Sequence, residues 1–259
     1  MAVDFAQFVS ETNRAPTVED AFGILETYLT VLGFDRVVYS LITDHPSLDR
    51  RRGHGILRNY PDDWMAYYHA KDYIDVDPVI KVIRHTSGAF LWHDLDFLKG
   101  GLTRNELTLM HEAREARLLD GIGLSLHGGP GEIVGMGVAS SSGGADFDVD
   151  TLSLVYALCS QFHIVYRRME TVCAPVIVQL SAREREVLTW TAEGKSRTAI
   201  GEILHISDQT VKTYMNRIFA KLEVNSIQLA VVKAIALGLI SPAVTHVRPA
   251  RASLRLSPK

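Results

Sequence analysis

Residues 180–223 constrain the fold of this 259-residue chain more than any other segment. Three short amphipathic stretches follow one another there, and each stands directly after a serine: Ser181, Ser196 and Ser207. Serine is a preferred N-cap because its hydroxyl accepts a hydrogen bond from an unpaired N–H of the first helical turn. Glu184 follows Ser181 at the spacing of a capping box. The segment therefore predicts three short helices separated by tight turns.

The third of these helices has two different sides. At about 100° per residue, one side gathers the apolar residues Val211, Met215, Ile218 and Leu222. The other side carries Gln209, Lys212, Thr213, Asn216 and Arg217. Such side chains hydrogen-bond base edges and phosphates, but they also suit an ordinary solvated face. The short helix and tight turn before them favour a helix-turn-helix, whose last helix enters the DNA major groove.

The charge of the chain is divided unevenly. Residues 180–259 hold 12 Lys and Arg against 6 Asp and Glu, or +6, and the rest holds 15 against 24, or −9, which gives the total of −3. The positive part fits a polyanionic partner. Four of its cations lie in residues 241–259, which contain three prolines and are expected to be a disordered tail: Arg248, Arg251, Arg255 and Lys259.

Composition narrows the remaining classes. No run of 18 apolar residues occurs, so no membrane partner is expected, and the N-terminus lacks the pattern of a secretory signal. Cys159 and Cys173 fit reduced thiols in a cytoplasmic protein. The histidines show no metal-binding spacing, and residues 123–127 lack the last glycine of a nucleophile elbow. Neither a metal, a cofactor nor enzymatic activity is expected.

The residues before the linker alternate between helical and extended patterns. They predict helices at 17–32, 103–119 and 148–170, a strand at 36–42, and a hairpin of 121–128 with 132–140. The expected fold is α/β (α+β): an N-terminal α/β/α sandwich with an antiparallel sheet, and an all-α four-helix domain. The predicted divisions are 1–170 for ligand binding and dimerisation, 171–179 for a linker, 180–240 for DNA binding, and 241–259 for the tail.

Residues 180–222 strongly resemble the helix-turn-helix of the LuxR family. The resemblance runs through Leu180, Arg183, Glu186, Leu188, Gly194, Ile200, Leu204, Ile206, Val211, Lys221 and Leu222, with the residues named above. It implies that Lys212, Thr213 and Asn216 face the groove, and that Lys195, Ser196 and Thr210 contact phosphates. Arg217, on the same side, is expected to bind DNA as well. A fourth helix at 226–237 is implied to pair two DNA-binding domains in a homodimer, with RNA polymerase as a further partner.

The regulatory input must come from the first part of the chain. A phosphorylatable receiver is the weaker interpretation, because the first predicted strand starts at residue 36 and Asp44 stands alone after it. Residues 60–79 instead place several aromatic residues around one Asp-Pro pair, and Trp92 follows. A lone carboxylate among aromatic rings fits two interpretations equally well. It can be a structural hydrogen-bond acceptor, or it can belong to a pocket for an amphiphilic small molecule.

This arrangement closely resembles the domain of LuxR-type receptors that binds N-acyl-homoserine lactones, across about residues 17–170. The resemblance implies that Trp64 donates to the lactone carbonyl, Asp77 accepts the amide N–H, and Tyr60 donates to the amide carbonyl. It further implies that Tyr68 and Trp92 line the ligand by apolar contact. The alternative is a ligand-independent regulator or anti-regulator that dimerises without binding a lactone.

Gly137 departs from the pattern of the family. An ungapped alignment of the hairpin from Gly121–Ile122 puts Gly137 where many members have Ser or Thr. Glycine removes that hydroxyl and is expected to leave space. The departure predicts a bulkier or unsubstituted acyl group rather than specific recognition of a 3-oxo signal.

Overall fold

The computed structural model of the protein describes residues 3–43, 53–97, 101–127, 132–143, 145, 147–170 and 178–241. The described residues through Glu170 form one compact unit, and those from Val178 onward form a second. Of the predicted linker at 171–179, residues 171–177 lie outside the described residues. The predicted tail at 241–259 lies outside them beyond Ser241, as does Cys173. The four predicted divisions of the chain stay predictions.

The described strands of the first unit form one antiparallel sheet in the order β2-β1-β5-β4-β3. The strands are β1 (Arg36–Leu41), β2 (Gly53–Arg58), β3 (Gly88–Leu91), β4 (Asp120–His127) and β5 (Ile133–Ser140). The helices are α1 (Phe5–Arg14), α2 (Val18–Val31), α3 (Asp62–Ala70), α4 (Pro78–His85), α5 (Arg104–Glu115) and α6 (Val149–Glu170). The predicted α/β fold with an antiparallel sheet is confirmed.

The two faces of the sheet carry different side chains. One face presents large apolar residues, among them Tyr39, Leu124 and Met136, which are buried against α1, α2 and α6. Helix α6, predicted at 148–170, packs there through Val155, Cys159 and Phe162. The other face packs against α3, α4 and α5. The sheet is thus the shared wall of two hydrophobic cores.

The second face is built largely from glycine at its centre. Gly123 of β4 lies directly opposite Gly137 of β5, and Gly121 and Gly135 lie two residues away on the same face. A Cβ added at Gly123 would lie 2.3 Å from the Phe90 ring. Side chains that reach over from other elements therefore fill the space that these glycines leave.

Helix α5 is shorter than the sequence predicted. The capping box of Thr103 and Glu106 is present, but the helix ends at Glu115 rather than near residue 119. Arg117 takes a left-handed conformation (φ 64°), and Leu118 N–H turns back to the carbonyl of Ala113 at 2.9 Å. The chain reverses there because it must enter β4 at Asp120.

The second unit contains four described helices. These are α7 (Ala182–Ala192), α8 (Arg197–Leu204), α9 (Asp208–Leu222) and α10 (Ile227–Ala236). Ser181, Ser196 and Ser207 each accept a backbone N–H at the start of their helix, as the sequence predicted. The apolar residues predicted for the inner side of α9 are all buried: Val211, Met215, Ile218 and Leu222. The helix-turn-helix layout is confirmed.

The turn between α8 and α9 depends on a glycine inside α8. A Cβ on Gly201 would lie 2.7 Å from the carbonyl oxygen of Ile206, which is closer than real Cβ atoms approach. Ile206 N–H in turn donates to the carbonyl of Gly201 at 2.9 Å. His205 ends α8 with a positive φ of 54°. Gly201 lets the chain cross close to α8 before α9 begins.

Each of the two capping-box glutamates, Glu106 and Glu184, also makes an interaction with a lysine of another helix. Glu106 is buried and accepts a hydrogen bond from Lys81 Nζ of α4 at 2.7 Å. Glu184 is buried as well and accepts from Lys221 Nζ of α9 at 2.6 Å. Each carboxylate thus starts its own helix and joins it to a second one.

Within the described ranges, no helix combines the length and apolar run needed to cross a membrane.

Candidate functional site

A cavity lies between the glycine face of the sheet and helices α3, α4 and α5. It is lined by the six residues that the sequence proposed for ligand binding: Tyr60, Trp64, Tyr68, Asp77, Trp92 and Gly137. The five with side chains are each less than 10% exposed. The fold therefore brings together residues that are spread over almost 80 positions of the sequence. Their roles toward a ligand remain predictions.

Asp77 already has several partners inside the protein. It is the N-cap of α4, where Oδ1 accepts the N–H of Val79 at 2.7 Å and of Ile80 at 3.3 Å. Its Oδ2 accepts from the Tyr68 hydroxyl at 2.8 Å. Burial raises the pKa of Asp77, and these hydrogen bonds offset part of that rise. Asp77 is thus a structural acceptor, and a carboxylate with two oxygens retains capacity for one more donor.

The space beside Gly137 is occupied, contrary to the prediction from sequence. A Cβ at this position would lie 2.8 Å from the Tyr60 hydroxyl oxygen and 3.1 Å from Val38 Cγ1. The Tyr60 side chain therefore extends over the glycine and fills the place of the missing side chain. Burial, followed by the nearby charge of Asp77, raises the pKa of Tyr60, so its hydroxyl remains a donor at neutral pH.

The indole of Trp92 has an unusual environment. Trp92 is the first residue of the 3₁₀ segment Trp92–Phe97 that follows β3, and its ring lies against Gly121. Its Nε1–H is buried and has no hydrogen-bond partner within the described part of the chain. A buried donor without a partner costs about 1–3 kcal/mol. The sequence assigned Trp92 only an apolar contact, yet it also brings a free donor to the cavity wall.

The cavity is small as the side chains now stand. Its volume is about 40 Å³, whereas sites for small molecules typically enclose roughly 300–1,000 Å³. Most of the lining is apolar and comes from flexible or aromatic side chains, including Ile83, Leu109 and Met110. Any ligand larger than a few atoms must displace some of these side chains.

Sequence reasoning missed two polar residues of the cavity wall, Ser40 and His54. Ser40 lay in a predicted strand, but nothing in the sequence showed which face it would take. His54 lies in β2, whose sequence GHGILR has two glycines and no clear alternation. The pairing of β2 with β1, which brings the two residues together, is a long-range feature of the sheet.

The second unit presents the residues proposed for DNA binding on its surface. Along α9, Lys212, Thr213, Asn216 and Arg217 are exposed, opposite the buried side of the helix. Lys195 and Ser196 are also exposed at the start of α8, and Thr210 is half-buried. The structure therefore leaves these side chains accessible for contact with a groove or a phosphate.

Several of these side chains also hold the helices in place. Ser196 Oγ accepts Ala199 N–H at 3.2 Å, and Thr210 Oγ1 lies 2.8 Å from Ser207 Oγ. Thr213 donates to the carbonyl of Gln209 at 2.9 Å. The Arg217 guanidinium lies 5.9 Å from the centre of the Tyr214 ring, within the range of a cation–π contact. Among these residues, only Lys195, Lys212 and Asn216 have side chains without a hydrogen bond, ion pair or ring contact inside the described fold.

Comparison with known proteins gives both units a family. Residues 17–169 match the model of the autoinducer binding domain, and residues 178–234 match that of bacterial regulatory proteins of the LuxR family. The chain belongs to the LuxR family of autoinducer-binding transcription regulators. The cavity lies within the first match and helix α9 within the second. This LuxR-family regulator is a transcription regulator with a helix-turn-helix DNA-binding domain, and it is not an enzyme.

Individual relatives extend over most of the chain. The transcriptional activator protein SolR of Ralstonia nicotianae is 32% identical over 218 residues, which cover 81% of this chain and 87% of SolR. The regulatory protein SdiA of Escherichia coli is 30% identical over 233 residues, 88% of this chain and 92% of SdiA. The structure of SdiA in complex with octanoyl-rac-glycerol matches with a TM-score of 0.60 at 25% identity, covering 92% of this chain and 98% of that one.

Proposed function

We propose that this regulator binds an N-acyl-homoserine lactone in the cavity of its first unit. Tyr60 donates to the amide carbonyl, Trp64 donates to the lactone carbonyl, and Asp77 accepts the amide N–H. Tyr68 orients Asp77 through the 2.8 Å hydrogen bond between them. Trp92 packs against the lactone and donates its Nε1–H to a ligand oxygen, and the missing side chain of Gly137 gives Tyr60 its position.

The observation that carries this proposal is the buried Nε1–H of Trp92 in the wall of a mainly apolar cavity, where it has no hydrogen-bond partner among the described residues. A ligand oxygen would give that donor a partner and remove the cost of leaving it unpaired. The same cavity also holds a carboxylate and a tyrosine hydroxyl. A ligand with an amide, a ring carbonyl and an alkyl chain matches this combination of polar and apolar groups.

For DNA, we propose that the regulator acts as a homodimer on a two-fold-symmetric operator. Lys212, Thr213 and Asn216 read base edges in the major groove, and Lys195, Ser196 and Thr210 contact phosphates, with Arg217 beside them. A single recognition helix binds weakly, and a two-fold protein pairs with two half-sites. RNA polymerase is the further partner expected of an activator.

The sheet provides a physical route from ligand to α6. The ligand cavity lies on one face of the sheet, while α6 packs against the other face. A ligand that fills the cavity would fix the sheet and therefore the placement of α6, which we propose as the dimer helix. A ligand that leaves dimerisation and operator affinity unchanged would contradict this route.

Two observations favour a second function, a regulator that dimerises without a lactone. The cavity volume of about 40 Å³ and the three hydrogen bonds already made to Asp77 suit a packed core. SdiA, whose structure contains octanoyl-glycerol, suggests a third ligand chemistry that the same experiment can include.

Thermal unfolding of the full chain with a ligand panel tests these alternatives. The panel contains acyl-homoserine lactones of several chain lengths and octanoyl-glycerol. A lactone at 100 times its dissociation constant adds about 2.7 kcal/mol to the free energy of unfolding. Stabilisation by lactones supports the proposal, stabilisation by octanoyl-glycerol alone redirects it, and no stabilisation by any compound supports the ligand-independent regulator. Mass spectrometry of the lipid-soluble material that copurifies from the native host identifies the natural ligand.

A further inference from the structure

The cavity contains a second polar group that the proposed contacts do not use. His54 of β2 and Ser40 of β1 both line it, and the Ser40 side chain is fully buried. Ser40 Oγ lies 3.0 Å from His54 Nδ1 and accepts the N–H of Gly55 at 3.0 Å. The pair is therefore a built element of the cavity wall and not a surface contact.

We assign the proton of neutral His54 from the hydrogen bonds around Ser40. Ser40 Oγ accepts from Gly55, and in this assignment its own hydroxyl proton is donated to His54 Nδ1, which lies at hydrogen-bond distance. A neutral imidazole that accepts at Nδ1 carries its proton on Nε2. Burial, with smaller contributions from His69 and Arg58, lowers the pKa of His54 to about 3, so the ring is neutral at physiological pH.

The ring of His54 is also held in orientation. It stacks on the Tyr68 ring at a centroid distance of 4.5 Å and an interplanar angle of 22°. Tyr68 is fixed in turn by its hydrogen bond to Asp77. The neighbouring lining residues are aliphatic, among them Val79, Ile80 and Ile83. A fixed N–H donor among alkyl groups is the kind of polar group that selects one ligand over another.

We infer that His54 Nε2–H donates a hydrogen bond to an oxygen on the acyl portion of the signal, so the signal is a 3-oxygenated acyl chain rather than a plain alkyl chain. The inference rests on the proposed function, in which Tyr60, Trp64 and Asp77 take the lactone and the amide. His54 and Ser40 are then left to face the acyl chain. This replaces the expectation of an unsubstituted chain drawn from Gly137: the hydroxyl missing on β5 has a counterpart donor on β2.

The test compares octanoyl-homoserine lactone with 3-oxo-octanoyl-homoserine lactone on the full chain. Dissociation constants come from titration calorimetry and from the shift in melting temperature. The unmodified protein is expected to bind the 3-oxo compound about tenfold more tightly, the value of one net hydrogen bond. His54→Phe keeps the stack on Tyr68 and removes the donor, so it is expected to abolish the preference.

Matched variants complete the design. His69→Phe changes an exposed histidine whose ring centre lies 6.4 Å from that of His54, and it is expected to retain the preference. His54→Gln restores an N–H donor and is expected to recover part of it, and it serves where His54→Phe does not fold. Equal binding of the two lactones by the unmodified protein, or a preference retained in both His54 variants, overturns the inference. Failure of both lactones to bind overturns the proposed function itself.

Discussion

The indole of Trp92 is buried, and its N–H has no hydrogen-bond partner among the described residues, which leads to a prediction. Trp92→Phe keeps an aromatic ring against Gly121 and removes the N–H. We expect lactone affinity to fall about tenfold, because a hydrogen bond made only in the complex is lost. Titration calorimetry measures the change. Trp190→Phe, in the second unit, is the matched control and is expected to leave affinity unchanged. Equal affinities for all three proteins would mean that Trp92 makes only apolar contact.

Gly137 leads to a second prediction at the same scale. A serine there would place its Cβ 2.8 Å from the Tyr60 hydroxyl, so Tyr60 must move. We expect Gly137→Ser to weaken binding of every lactone in a panel by about tenfold or more, through overpacking of roughly 1–3 kcal/mol. Gly23→Ser is the control, because a Cβ on Gly23 has nothing within 4 Å. A change confined to the ranking of 3-oxo against plain chains would restore the original interpretation of an open space.

The capping-box glutamates of α5 and α7 are expected to make the stability of the protein depend on pH. For Glu106, burial raises the pKa, but the hydrogen bonds from Lys81 and Thr103 exceed that effect and bring the pKa to about 2. The pKa in the folded protein is thus below the ordinary value of 4.5. The unfolded chain takes up the proton first, so the stabilisation is complete above about pH 4.5 and is lost as the pH falls toward 2.

The prediction concerns the difference between the unmodified protein and Glu106→Gln. We expect the variant to be less stable at pH 6 by roughly 1–3 kcal/mol, since a charged partner of Lys81 is removed. The difference is expected to shrink at pH 3. Urea unfolding at both pH values measures it, with the exposed Glu115→Gln as control. A difference that stays constant with pH would show that Glu106 is already protonated or unpaired.

The turn of the helix-turn-helix provides a second prediction at the scale of elements. Gly201→Ala places a methyl group against the carbonyl of Ile206, and we expect it to destabilise the second unit by about 1–3 kcal/mol. Operator binding is expected to weaken while lactone binding is kept. Gly23→Ala in α2 is the control and is expected to be neutral or stabilising, since alanine favours helices over glycine. Circular dichroism measures the unfolding of each variant, and an operator titration measures its DNA binding. A Gly201→Ala variant as stable as the unmodified protein, with the same operator affinity, would contradict the prediction.

The elements that the sequence predicted correctly are those with a local signal. Helices α7, α8 and α9 have serine N-caps and apolar stripes, and β4 and β5 are joined by glycine-rich residues. Helices α1, α3 and α4 and strands β2 and β3 were not predicted. β3 has four residues and β2 has two glycines, so their patterns are too short or too weak. These strands form because the neighbouring strand offers hydrogen bonds, which no local window contains.

The candidate site divides in the same way. The aromatic residues and Asp77 stand out in the sequence because of the resemblance to a family. Ser40 and His54 do not, since they become neighbours only when β1 pairs with β2. The role of Gly137 was misjudged because the position of Tyr60 depends on α3 and the sheet together. Contacts between elements decide the shape of the cavity, and the sequence names only some of its residues.

At the scale of the whole molecule, the negative first part and the positive second part lead to a prediction about DNA. We expect Lys195→Ala to weaken binding to operator and to unrelated DNA alike, and to lower the slope of affinity against salt by about 1. Asn216→Ala is expected to reduce discrimination between operator and altered operator by about 1–3 kcal/mol. Titrations at several salt concentrations measure both. Lys233→Ala, on α10, is the control, and a salt slope equal to that of the unmodified protein for Lys195→Ala would contradict the phosphate contact.

The bare centre of the sheet gives the cavity a direction of change over evolutionary time. At Gly121, Gly123, Gly135 and Gly137 every substitution adds atoms, and each added Cβ meets a neighbour within 3 Å. Replacements there can only narrow the chamber. Widening it requires trimming the rings and aliphatic groups that reach in from the other elements. Substitutions of these strand glycines can therefore adapt the cavity to shorter signals. Adaptation to longer signals requires smaller side chains at positions such as Tyr60 and Trp92.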